Sequence, residues 1–179
     1  HLAAKSAVSR AYAPFDENIR VAWQNINANQ IAAATSIYKF KNLPANANVR
    51  TRFYNWLFST PVSGNTPNQA ATERAGDFFK RNTGNVDGNP YYDRDLSREL
   101  SCRQNFHLNM SDGFWNNSTV LPATTDTNPA SQTLPDTRVY STGDEESSIY
   151  WNEASPAQRN LANLGWHYWA TNLRPDFMS

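Results

Sequence analysis

The chain has no excess of charge of either sign, a single cysteine and no long apolar run. Its 16 acidic residues balance 16 basic ones, and no Lys/Arg cluster builds a basic stripe. Nucleic acid and an anionic membrane surface are therefore excluded as expected partners. No stretch approaches the roughly 18 apolar residues of a membrane span, so membrane insertion is not expected. The chain opens on HLAAKSAVSRAY rather than on a secretory leader. That opening reads as amphipathic helix from its first residues, as in a piece of something longer. Cys102, the one cysteine, cannot close an internal disulfide and implies a reduced thiol or a partner outside this stretch. The familiar catalytic signatures are missing too: there is no GxxxxGK[ST], GxSxG, HExxH or CxxC. The three histidines, His1, His107 and His167, are scattered. An enzyme is not expected.

What is present is asparagine, the commonest residue at 22 positions, and an aromatic content of 13% with 6 Trp. With 39% hydrophobic residues over 179 positions, the chain can bury a core and still carry long polar loops. Residues 2–13 read as a helix stopped by Pro14. Residues 19–26 alternate and are rich in β-branched and aromatic side chains, which predicts a strand; 31–40 reads as a second. Val49, Phe53, Trp56 and Leu57 recur at helical spacing. SGNTP marks the clearest helix start, with Thr66 suited to the N-cap and Pro67 to the first helical position. Two polar insertions, about 82–100 and 116–148, flank NFHLNM, whose alternation predicts a strand over 105–110. A short strand is expected at 137–141, and a last helix from Ser155-Pro156 to Arg174-Pro175. This order predicts an α/β layered fold.

Two oxygen donors stand at the ends of these elements. Thr66 offers a hydroxyl at a loop-to-helix junction, and Asp112, in MSDG, a carboxylate where the 105–110 strand ends. A hard divalent cation takes several such oxygens, neutral and anionic, at about 2.0–2.6 Å. Taken singly, Thr66 reads as a helix cap and Asp112 as a turn former. Trp115, Trp151, Trp166 and Trp169 read as packing residues rather than a carbohydrate platform. His167, within GWHYWA, reads as a packed and hydrogen-bonded side chain.

Three blocks carry a resemblance: SGNTPNQAATERAGDFF, SCRQNFHLNMSDGFWNN and LANLGWHYWATNLRPDF. Together they resemble the von Willebrand factor A-like domain of PilY-type proteins, the tip-associated adhesins of bacterial type IV pili. The resemblance implies a Rossmann-like, doubly wound and mostly parallel sheet flanked by helices, with residues 1–179 forming one partial domain. It implies a metal-ion-dependent adhesion site in which Thr66 and Asp112 hold a divalent cation (Mg, Mn or Ca). One coordination position is left for an acidic group on a host-surface or matrix ligand. It implies minor pilins or other pilus-tip proteins as partners, and export through the periplasm to the bacterial surface. The family's DxSxS loop occurs nowhere in the chain, so the first strand and the closing strands fall outside it. Two ligands alone imply weak or absent occupancy in this stretch. SDG replaces the family's TDG, and Asn163 and Asn172 replace two aspartates. The alternative reading is a structural segment of the pilus tip with a vestigial metal site.

Overall fold

The computed structural model describes residues 1–27, 38–39, 48–61, 64–82, 88–93, 95–111, 131–134, 136–141 and 161–178. Helix α1 (Leu2–Tyr12) and helix α2 (Val49–Ser59) form where the sequence predicts them. Asn48 caps α2 by accepting the Thr51 N–H at 2.8 Å, which satisfies one of the four orphan donors of a helix start. Val49, Phe53 and Leu57 lie four residues apart, so they share one face, and that face is buried. It packs on Val21 and Trp23, with Val8, Tyr12 and Ile19 around the edge. Phe53 meets Trp23 edge-on at 5.6 Å and Tyr12 at 4.8 Å, an aromatic cluster beyond plain area burial. Lys5 of α1 donates to the Phe58 and Thr60 carbonyls at 3.0 and 2.7 Å, placing a cation on the carbonyl-rich end of α2.

The strands are shorter than the sequence predicts. β1 (Arg20–Val21) pairs antiparallel with β2 (Tyr38–Lys39), which captures a fragment of each expected strand. Residues 31–37 and 40 of the second lie outside the described residues. β3 (Tyr92–Asp93) and β4 (Arg98–Glu99) form a hairpin inside the first polar insertion. β5 (Ser131–Thr133) and β6 (Val139–Ser141) form another inside the second, where only a strand at 137–141 was expected. All three pairings among the described residues are antiparallel and two-stranded.

The expected strand over 105–110 is corrected. Residues 103–111 take no regular secondary structure, because no neighbouring strand lies beside them among the described residues. Their polar side chains tie them down instead: Asn105 Nδ2 donates to the Tyr91 hydroxyl at 3.2 Å, and Asn109 Nδ2 to Thr72 Oγ1 at 3.3 Å.

Helix α3 (Asn68–Phe79) packs against helix α4 (Leu161–Ala170). The contact turns on Gly76, where any Cβ would overlap the Tyr168 ring. That close approach lets the Tyr168 hydroxyl donate to the Glu73 carbonyl at 3.0 Å and to Asp77 Oδ1 at 3.2 Å. Residues 151–160, where the sequence places the start of α4, lie outside the described residues. A 3₁₀ turn (Pro175–Met178) follows.

In an open helix Gly→Ala would stabilise by roughly 1 kcal/mol. Here the overlap with Tyr168 decides the sign, and Gly76→Ala is expected to destabilise by about 1–3 kcal/mol, the range for overpacking. Thermal unfolding followed by circular dichroism should then show a midpoint lowered by several degrees, at about 2–4 °C per kcal/mol for a chain of this size.

Candidate functional site

The N-terminus of α3 is reached through Gly64, which holds φ at +103° in the left-handed region that glycine tolerates. A Cβ there would collide with the Asn27 side chain, so glycine lets this loop lie against residues following β1. The cap is Pro67, one residue later than expected, and it makes no side-chain cap bond. Thr66 therefore sits just ahead of the helix, half-buried, with its carbonyl accepting the Asn68 N–H at 2.8 Å. The cap position that SGNTP suggests for Thr66 is taken by Pro67.

Asn68, the first residue of α3, is 2% exposed, and its Oδ1 is buried without a hydrogen-bond partner. A buried acceptor with no donor costs about 1–3 kcal/mol. It is also the neutral oxygen that a hard cation accepts, so the chemistry at this helix start fits such an ion. Asp112 lies outside the described residues, as do Trp115 and Trp151. The approach to it is described: the bond from Asn109 to Thr72 pins the chain beside α3, three residues ahead of position 112. Thr72 lies one turn, about 6 Å along the axis, from the start of α3. Among the described residues, no group of three or more His, Cys, Asp or Glu side chains is placed to hold a metal.

Three other polar clusters are built for packing. Arg174, 4% exposed, bonds Glu99 at 2.9 Å, Asp176 at 2.7 Å and the Arg81 carbonyl at 3.0 Å. Its guanidinium also lies 3.9 Å from the Phe177 ring centroid and 5.0 Å from that of Tyr91. Asn172 turns the chain into this node by accepting the Arg174 N–H at 3.0 Å. Arg103 pairs with Asp93, whose Oδ1 also accepts the Asp95 and Leu96 N–H groups at 3.0 and 3.1 Å. Between α3 and α4, Lys80 Nζ stands 3.4 Å from His167 Nε2 and 3.3 Å from Asp77. The expected packed role of His167 holds, its ring meeting Tyr168 edge-on at 4.9 Å. Burial, with Asp77 beside it, pushes the Tyr168 hydroxyl far above its ordinary value. Burial and the same Asp77 push the Glu73 carboxyl up. Trp169 is 57% exposed, and Cys102 is an exposed free thiol. Sequence reasoning passed over Asp93, Arg103 and Arg174; the alternating charges of YYDRDLSREL mark Asp93 and the RPD of the last block marks Arg174, while no local signal marks Arg103.

Over an alignment of 181 positions that covers 98% of its length, the chain is 36% identical to the type IV pilus biogenesis factor PilY1 of Pseudomonas aeruginosa strain PAK. It is 35% identical over 97% of its length to PilY1 of strain UCBPP-PA14. The chain is thus similar to one segment of each of these proteins. It spans about 14% of the length of these curated PilY1 relatives. No family model and no solved structure matches it. No helix among the described residues is long and apolar enough to cross a membrane.

The hydrogen bond from Arg174 holds the Asp176 carboxyl below its ordinary value. A depressed carboxylate contributes stability above its unfolded pKa, near 3.9, and loses it as pH falls through the folded value. Urea midpoints measured at steps from about pH 5 to pH 2 should therefore fall more steeply for the wild type than for Asp176→Asn.

Proposed function

We propose that this chain is a module of a type IV pilus biogenesis factor, working at the bacterial surface or pilus tip. In this reading it is an adhesion module that binds an acidic partner through a divalent cation held by Thr66 and Asp112. The fold proposed with it is von Willebrand factor A-like, a doubly wound sheet completed by strands outside these 179 residues. Likeness to PilY1 over 98% of the chain supports the pilus setting. The observation that supports a site at this place is the buried Asn68 Oδ1 without a hydrogen-bond partner at the start of α3, the helix that Thr66 precedes. Thr66 and Asp112 would hold the cation through their oxygens, and it would supply Lewis-acidic attraction for a partner carboxylate. Neither residue is placed in chemical turnover, and the proposed role is binding alone.

Calorimetric titration with Mg²⁺, Mn²⁺ and Ca²⁺ tests the site. Asp112→Ala removes the one carboxylate, and Thr66→Val removes a hydroxyl at nearly constant shape. Each is expected to weaken cation affinity about tenfold or more, the scale of one lost charge-assisted contact. Equal affinity in wild type and both variants would sink the metal reading.

A second reading, structural assembly with minor pilins and no cation, is favoured by one observation. Phe106, Leu108 and Met110, just ahead of position 112, are 83%, 68% and 47% exposed. A protein contact there needs no metal. On this reading, association with minor pilins is unchanged by chelator and by Asp112→Ala, and is lost on Leu108→Lys; pull-down with purified components separates the two.

A further inference from the structure

One buried oxygen at the start of α3 has nothing to bond. Asn68 is 2% exposed, and its Oδ1 is enclosed by the chain without a donor. Among the described residues it is the one side-chain oxygen in that state; the other orphaned atom is a nitrogen, Nη1 of Arg103. Because the chain itself covers Asn68 Oδ1, no strand or loop arriving from outside can pair with it. What satisfies it must fit inside, as a water or a bare ion does. An anion is the usual guest of a helix N-terminus, but an acceptor buried at that end repels one.

The backbone ties this oxygen to Thr66. Pro67, at φ −79° and ψ 64°, is the centre of an inverse γ-turn, closed by the Asn68 N–H on the Thr66 carbonyl at 2.8 Å. Thr66 and Asn68 are therefore the two ends of one tight turn. Two Cα steps cap their separation at about 7.6 Å, and the turn shortens it. A hard cation takes the amide oxygen of Asn as readily as a hydroxyl, at about 2.0–2.6 Å, which is closer than a water approaches. We infer that Asn68 Oδ1 is a third ligand of the divalent cation proposed for Thr66 and Asp112. The charge count then fits an acidic partner. Two neutral oxygens and one carboxylate leave a divalent ion with one positive charge uncompensated, and a partner's acidic group neutralises it. The inference rests on the adhesion reading above and adds a ligand to its site.

The test uses the 179-residue chain with Mn²⁺ alone as probe. Mn²⁺ is raised in steps to about 10 mM, above the affinities of weak oxygen sites. Binding is read as the rise in thermal midpoint over a sample in chelator. Asn68→Leu removes the oxygen at similar size and should weaken affinity about tenfold or more. Asn68→Asp puts a charged oxygen in the same place and should strengthen it about tenfold. Asp112→Ala is run beside them. Equal responses in wild type, Asn68→Leu and Asn68→Asp, with loss only in Asp112→Ala, would overturn the inference and leave the adhesion reading standing. No response in any chain, or the same response in all four, would overturn both and leave Asn68 Oδ1 to a buried water. If Asn68→Leu does not fold, Asn68→Asp decides, and affinity that fails to rise overturns the inference.

Discussion

Helix α3 is held from three directions, and the candidate site inherits its position from that grip. On one side Gly76 lets Tyr168 lie against the helix backbone. On a second, Gln24 donates to the Ala71 carbonyl at 2.7 Å, and Arg74 reaches the Ile26 carbonyl at 2.9 Å. On a third, Thr72 receives Asn109. Helices shorter than about 12–15 residues are marginal alone, so tertiary contacts of this kind decide whether and where they stand. The start of α3, with Thr66 ahead of it and the unpartnered Asn68 oxygen inside it, is fixed because the body of α3 is.

The parts of the fold that were legible in the sequence are those written in local periodicity. Val49, Phe53 and Leu57 announce the buried face of α2, so the helix follows from spacing, while its Asn48 cap emerged only in the folded chain. Strands were less legible because a ladder is a non-local fact. NFHLNM has the alternation of a strand, but a strand also needs a neighbour, and alternation says nothing of who is adjacent. At Thr66 and Pro67 the element was right and its boundary moved by one residue, since a Ser/Thr-Pro pair can begin a helix at either position. Arg174 was missed for a different reason. Its partners, Arg81 and Glu99, lie far away in sequence and meet it only in the folded chain.

Homology and geometry contribute different things here. Identity of about 36% to PilY1 extends over nearly the whole chain and sets its biological context, while covering 14% of that relative's length. The coordinates supply what that likeness does not. They place the start of α3 and the exposed side chains of Phe106, Leu108 and Met110.

The inward turn of Arg103 has a cost in solution. Proteins commonly guard hydrophobic strands with a flanking charge that keeps like segments apart. The charge best placed to guard Phe106, Leu108 and Met110 is committed to Asp93 instead. The guard on the other flank is Asp112, two residues past Met110, so one carboxylate alone keeps like stripes apart when the chain is concentrated.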